Sequence, residues 1–245
     1  MSPANVEAVI LCGGRGTRLG TLSAATPKPL LRVGGEPFVL HLIQRLAREG
    51  VTRVVLAAHY LAAQFGAFVL AHRGLVPELE LLVEPHPLGT GGALRFAAEA
   101  VRSETFVALN GDTWMTQTIA PVLQEHADAG RDCTAVVAPA ARVECGASQK
   151  GVWDIGPEHE VRGFTTPDLV SSGWVNAGMY VFKRALVLAW PTGSYNLEAE
   201  APRLLRGARA GLFYSNARLL DIGTPESYAR AAQELAGSAS AGASA

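Results

Sequence analysis

The sequence predicts an α/β fold in a single domain: a mixed, mostly parallel central sheet flanked by helices. Two patterns predict it. In the first half, short and almost continuously apolar runs alternate with segments of helical periodicity, as strands buried on both faces of a parallel sheet do. In the second half, strand patterns follow one another with little helix between them, which adds antiparallel or mixed strands to the same sheet.

Val6–Leu11 is the first expected strand, because it is apolar almost throughout and ends in a glycine turn. Arg53–Ala58, Leu79–Val83 and Thr105–Leu109 follow. Pro37–Glu49 and Tyr60–His72 have helical periodicity, and a third helix starts near Thr90 or Gly91 and runs to Val101. This strand–helix–strand repetition implies a mostly parallel sheet covered on both faces. Cys133–Ala138, Val152–Ile155, Val161–Phe164 and Trp174–Phe182 are the later strands, with helices at Leu197–Arg209 and Pro225–Leu235. No internal repeat or interdomain linker interrupts the chain, so the domain is expected to span 1–236. Gly237–Ala245 hold only Gly, Ser and Ala and are expected to form a disordered tail.

A chain of 245 residues, 49% hydrophobic, can bury a sizeable core. Its formal net charge of −1 supplies no overall field to hold a nucleic acid or an anionic membrane, so neither is an expected partner. Cys12, Cys133 and Cys145 are odd in number and lack metal-ligand spacing, which argues against a disulfide framework or a zinc site. No run of about 18 apolar residues occurs, and Met1–Asn5 is too short and polar for a secretory signal, so a cytoplasmic location is expected. Association into a homo-oligomer is left open.

The strongest chemical signal follows the first strand. Leu11 leads into Cys12-Gly13-Gly14-Arg15-Gly16-Thr17-Arg18-Leu19. Glycines after a buried parallel strand let the backbone turn sharply and present N–H groups to phosphate oxygens, and Arg15 and Arg18 add cationic donors. The loop lacks the third glycine of a dinucleotide fingerprint and the Gly-Lys-Ser/Thr of a P-loop. A structural turn with surface arginines is the plainer reading. Thr26-Pro27-Lys28-Pro29-Leu30 then holds one lysine between two stiffening prolines.

Phe106–Leu109 delivers Asn110-Gly111-Asp112 at the carboxyl end of a strand, the edge where ligands bind in open α/β sheets. Asp112 suits a hard cation such as Mg2+, or else a turn beside Gly111. Asp221, ending Leu219-Leu220-Asp221, suits the same cation or the capping of the next turn. In Val83-Glu84-Pro85-His86-Pro87-Leu88-Gly89-Thr90-Gly91-Gly92, a glycine-rich loop opens a helix and suits close approach to a base or ribose. There Glu84 is either an acceptor for a guanine edge or a solvated loop acid. Asn176-Ala177-Gly178 and Asn196-Leu197-Glu198 offer groups for sugar hydroxyls, although Asn196 also suits a helix N-cap.

Together these segments resemble the sugar-phosphate nucleotidyltransferases. The family's G-G-x-G-T-R-L matches Gly13–Leu19, its P-K-P matches Pro27–Pro29, its N-G-D matches Asn110–Asp112, and its D-I-G-T-P matches Asp221–Pro225. The motifs keep the family's order from about residue 6 to 235. The resemblance implies a Rossmann-like, GT-A-type fold, with a nucleotide-binding half to about residue 110 and a sugar-phosphate half beyond it. It implies a nucleoside triphosphate, GTP favoured, and a sugar 1-phosphate as partners, with Mg2+ as cofactor. Arg18, Lys28 and Asp112 take the catalytic role, and Asp112 and Asp221 hold the metal. Leu11, Gly13, Gly14, Arg15, Gly16, Thr17, Glu84, Pro87, Gly89, Thr90, Gly91, Asn110 and Gly111 bind the nucleotide. Gly151, Asn176, Ala177, Gly178 and Glu198 bind the sugar phosphate.

The compact length and the last two segments look most like the guanylyltransferases of D-glycero-α-D-manno-heptose 1-phosphate, with those of mannose 1-phosphate as near neighbours; a longer sugar, such as an octose phosphate, also fits. The same chemistry with UTP, CTP or dTTP is the alternative. One departure motivates a second alternative, a catalytically silent sensing domain. Many relatives carry a lysine for the sugar phosphate where this chain has Phe164-Thr165-Thr166-Pro167. Lys150 and Arg162 are the candidate replacements.

Overall fold

The computed structural model describes residues 6–144, 151–165 and 173–241. From β1 (Glu7–Leu11) the chain passes two short 3-10 turns, Thr17–Ser23 and Lys28–Leu30, and a small hairpin of β2 (Arg32–Val33) and β3 (Glu36–Pro37). Then α1 (Phe38–Arg48), β4 (Arg53–Ala58), α2 (Ala62–Ala71), β5 (Glu78–Val83), α3 (Gly89–Ala100) and β6 (Thr105–Asn110) alternate as expected.

The second half holds β7 (Thr113–Met115), α4 (Ile119–Asp128), β8 (Cys133–Pro139), β9 (Val143–Glu144), β10 (Val152–Ile155), β11 (Val161–Thr165) and β12 (Trp174–Lys183). It closes with α5 (Arg184–Leu188), α6 (Leu197–Leu204), β13 (Ala210–Tyr214), β14 (Leu219–Asp221) and α7 (Pro225–Ala241). No helix among the described residues is long and apolar enough to cross a membrane.

Seven strands form the central sheet in the order β13-β8-β12-β6-β1-β4-β5. β1 runs parallel to β4 and β6, β4 to β5, and β8 to β13, while β12 is antiparallel to both β6 and β8. The sheet is therefore mixed and mostly parallel. Its two faces are read directly from the period-2 geometry of a strand. On β1, Ala8 and Ile10 join the core packed by α1, α2, α4 and α7, while Val9 joins the core packed by α3, α5 and α6. Both faces are dry, which is why β1, β4 and β6 are apolar without alternation.

The chain departs from expectation at several elements. The helix expected over Leu197–Arg209 ends at Leu204, and the chain re-enters the sheet as β13, beside β8. The helices α4 and α5, the β2–β3 hairpin and the short strands β7 and β9 have no counterpart among the expected elements. The last helix continues to Ala241, past the Gly237 where a disordered tail was expected; residues 242–245 lie outside the described part.

His126 on α4 is 2% exposed, with Nδ1 2.9 Å from the Thr134 hydroxyl on β8. Burial of the ring, with Lys183 and Arg131 nearby, lowers its pKa from 6.5 to about 4. The unfolded chain takes up this proton as pH falls through about 6.5, whereas the folded chain refuses it until about 4. His126 therefore costs folding stability progressively across that window, roughly 3 kcal/mol in full. Thermal unfolding at pH 7.5 and pH 4.5 tests this. The fall in Tm should be smaller in His126→Gln than in the parent protein, and equal falls would exclude a buried neutral imidazole.

Candidate functional site

The site begins in the register of two neighbouring parallel strands. Leu11 at the end of β1 stands opposite Asn110 at the end of β6, so the loops leaving the two strands emerge side by side. Between them opens a cleft of about 440 Å³. Residues 11–18 line it, with Lys28 and Pro29, Glu84, 87–90, Asn110, Asp112 and Asn196. Of the residues expected to bind nucleotide or act in catalysis, all but Gly91 and Gly111 are in this lining.

The glycine loop is held in a defined shape. Gly16 is left-handed (φ 64°), its carbonyl accepts from Leu19 N–H and from the Ser23 hydroxyl, and the Arg15 guanidinium lies over the Tyr60 ring at 5.8 Å. Tyr60 and Gln64 then donate to the carbonyls of Ala24 and Ala25, tying the following turn to α2.

Lys28 is buried at the cleft floor, where its Nζ donates to Asp112 Oδ2 at 2.7 Å. Thr113 donates to the other oxygen of Asp112 at 3.1 Å. Gly111 is buried behind this pair, where its N–H binds Leu11 O and a Cβ would stand 2.6 Å from that same oxygen. Gly111 thus serves the close packing of β1 on β6, not the cleft surface.

Asp221 reaches the same place from the far end of the chain. It pairs with Thr113 across β14 and β7, and Ile222 N–H donates to Asp112 O at 3.0 Å. The two acids are therefore neighbours through adjacent strands. Asp221 Oδ1 accepts from Gly223 N–H at 2.7 Å and from the Ser227 hydroxyl, so the turn-orienting role weighed for it is formed. Asp221 is buried and is not in the cleft lining.

Glu84 is not a solvated loop acid. It is 4% exposed, accepts Leu88 N–H at 3.1 Å and packs so close to Gly13 that a Cβ there would meet its Oε1 at 2.5 Å. Burial pushes its carboxyl pKa up, and the Leu88 hydrogen bond pulls it back down.

The glycines after it serve a purpose the sequence reading missed. A Cβ on Gly91 would lie 2.5 Å from the Tyr195 ring, one on Gly89 2.5 Å from Tyr195 O, and one on Gly92 would strike Gly193 O. Gly91 and Gly92 N–H donate to Tyr195 O, Tyr195 N–H donates to Leu88 O at 2.9 Å, and the Ser194 hydroxyl donates to Pro87 O at 2.8 Å. These glycines seat the 193–197 segment, and Gly89 also lines the cleft. Gly91 is buried and is not in the cleft lining.

The expected sugar-phosphate residues gather beside the cleft. Asn176 and Gly178 lie where the β12–β8 register shifts. Gly178 is left-handed (φ 70°) and so close to Asn110 that a Cβ would stand 2.8 Å from its Nδ2. Asn176 Nδ2 donates to the Tyr180 hydroxyl, which donates at 3.3 Å to Glu198 Oε1. The other oxygen of Glu198 accepts from the Thr90 hydroxyl at 2.8 Å. Two members of the set have other duties. The Ala177 side chain is fully buried in the core, and the Gly151 carbonyl accepts Asn176 N–H. Arg162 is exposed and paired with Glu160. Lys150, Thr166, Pro167 and Cys145 lie outside the described residues. Cys12 and Cys133 are buried free thiols.

The family model described as nucleotidyl transferase matches residues 7–238. The chain is 34% identical over 242 residues to a mannose-1-phosphate guanylyltransferase of Mycobacterium tuberculosis, covering 96% of this chain and 66% of that protein. It is 28% identical over 233 residues to a D-glycero-alpha-D-manno-heptose 1-phosphate guanylyltransferase of Aneurinibacillus thermoaerophilus, covering 94% and 98%. The crystal structure of HddC from Yersinia pseudotuberculosis complexed with GMP-PN superposes with a TM-score of 0.79 at 26% identity, covering 94% and 99%. The chain thus spans about two thirds of the mannose-1-phosphate relative and almost all of the other two.

If Gly92 is needed for the seating of the 193–197 segment, Gly92→Ala should lower Tm by several degrees, because the atom it strikes is backbone and cannot swing away. Differential scanning calorimetry reads this directly. A Tm equal to that of the parent protein would show that the segment can move aside at no cost.

Proposed function

The chain belongs to the nucleotidyl transferase family, and from that premise we propose that it transfers GMP from GTP to a sugar 1-phosphate, giving a nucleotide sugar and pyrophosphate. One observation carries the reading: Lys28 and Asp112 meet at 2.7 Å on the floor of a cleft walled by the glycine loop. A cation and a carboxylate held together beside backbone N–H groups suit phosphoryl chemistry more than a structural turn. The guanine preference is supported by the names of the relatives and by the nucleotide in the HddC structure. The heptose- and mannose-type acceptors are supported by the same names.

In this reaction an oxygen of the sugar phosphate bonds to the α-phosphorus as the bond to the leaving pyrophosphate breaks. The attacking group is already anionic, so no strong general base is needed. The obstacle is repulsion between anions, and positioning with charge stabilisation overcomes it. The amides of residues 13–16, with Arg15 and Arg18, hold the triphosphate. Lys28 places positive charge near the reacting phosphate. Glu84, beside Gly13, accepts from the guanine edge, and Asn176 and Glu198 meet sugar hydroxyls.

A divalent cation fits the donor set. Among the described residues no cluster of three or more His, Cys, Asp or Glu could hold a metal alone. Asp112, in the turn before β7, and Asp221, at the end of the neighbouring β14, are hard oxygen donors and would hold Mg2+ jointly with substrate oxygens, which is how that ion usually binds. When bound it would neutralise charge on the phosphates. The buried free thiols Cys12 and Cys133 suit a reducing setting such as the cytoplasm.

A matrix of nucleoside triphosphates against sugar 1-phosphates, read by mass spectrometry, tests the reading. GTP with a heptose or mannose 1-phosphate should give product. Exclusive use of a pyrimidine nucleotide would overturn the guanylyl assignment, and no turnover with any pair would overturn the enzyme. Lys28→Ala and Asp112→Ala should each lower kcat by about 10²-fold or more. Near-normal turnover in a folded Asp112→Ala protein would remove its metal role.

A further inference from the structure

Thr90 stands where the nucleotide and sugar sides of the cleft touch. It lies in the first turn of α3, and it lines the cleft. A threonine hydroxyl has one proton and two lone pairs. Here the proton goes to Glu198 Oε2 at 2.8 Å, and a lone pair accepts Leu197 N–H at 2.8 Å. Leu197 is the first residue of α6, and Asn196, in the N-cap position, makes no side-chain capping bond. Thr90 therefore caps α6 from another helix. On the opposite side, the buried Tyr180 hydroxyl holds Glu198 Oε1. The carboxylate is thus gripped by two hydroxyls, one on the nucleotide side and one on β12.

We propose that Thr90 is a positioning residue for the acceptor: its hydroxyl aims Glu198, and with it the first turn of α6, at the sugar. The inference rests on the nucleotidyl-transfer reading above, and it assigns a residue of the nucleotide loop to the sugar. The backbone supports the assignment independently of the side chain. Gly91 and Gly92 N–H bind Tyr195 O, and Tyr195 N–H binds Leu88 O, so the turn that meets the nucleotide and the turn that carries Glu198 form one rigid piece. A nucleotide seated against 87–90 bears on the same piece that orients the acceptor.

The test uses the full chain with GTP and the sugar 1-phosphate it accepts. Thr90→Val keeps the shape and removes the hydroxyl, Thr90→Ser keeps the hydroxyl, and Tyr180→Phe removes the opposite grip. Steady-state kinetics give KM for the acceptor, and calorimetry without acceptor gives Kd for GTP. Thr90→Val should raise the acceptor KM by about tenfold or more, as expected for losing a hydrogen bond to a charged group, and by clearly more than it raises the GTP Kd. Thr90→Ser should restore most of the loss, and Tyr180→Phe should raise the acceptor KM alone.

An unchanged acceptor KM in Thr90→Val, an equal loss of GTP affinity, or a Thr90→Ser protein as impaired as the valine variant overturns the proposal. If Thr90→Val fails to fold, Tyr180→Phe decides, and an unchanged acceptor KM there overturns it. A parent protein that turns over no pair sinks the functional reading itself. An active parent with an indifferent Thr90→Val sinks only the role of Thr90.

Discussion

The contact between Lys28 and Asp112 joins two segments far apart in sequence, and the rest of the cleft is arranged around it. The side chains are only 9% and 29% exposed, so both charges have given up most of their water. Such a pair persists only where geometry and further hydrogen bonds compensate for desolvation. The geometry comes from the prolines on either side of the lysine and from the turn after β6, which carries Asp112. The further bond comes from Thr113. Pro29 also packs against Gly111, where a Cβ would meet its Cγ at 3.3 Å, so the lysine turn and the strand end fit as one surface. The glycine loop then has a fixed floor, with the Lys28–Asp112 pair in the same cleft lining.

Much of this was legible in the sequence, for a physical reason. Strands buried on both faces must be apolar throughout, so β1, β4 and β6 announced themselves, and β4 and β10 were placed to the residue. The glycine loop, the proline-flanked lysine and Asp112 were legible because each rests on a local rule: sharp turns need glycine, proline fixes φ, and a parallel strand ends at the ligand edge. What failed to show depends on contacts between distant segments. Strand β13 is short and half-exposed along Leu212 and Phe213, and it exists because β8 offers it an edge. Ala177 stands in a motif expected to meet the sugar, and what its sequence did not show is that the alternation of β12 turns its side chain into the core.

The same limit explains Gly91 and Gly92. Their sequence says only that something comes close. That the visitor is the chain itself, at Gly193–Tyr195, follows from a packing over a hundred residues of separation. One periodicity thus has two meanings, and only the three-dimensional neighbours distinguish them. The interlock also ties the first half of the chain to the second. Helices α3 and α6 share one core with Val9 of β1 and Tyr180 of β12.

The strand order has a consequence for how the chain is made. β6 is flanked on one side by β1, which is synthesised early, but on the other by β12, which is among the last strands to appear. A nascent chain that has just completed β6 can assemble β6-β1-β4-β5 and yet presents an apolar strand with an open hydrogen-bonding edge. That edge stays uncovered until the ribosome has added everything through Lys183. Long-range pairings of this kind close slowly and leave sticky intermediates. The half of the protein that carries the glycine loop is therefore its most vulnerable part during biogenesis.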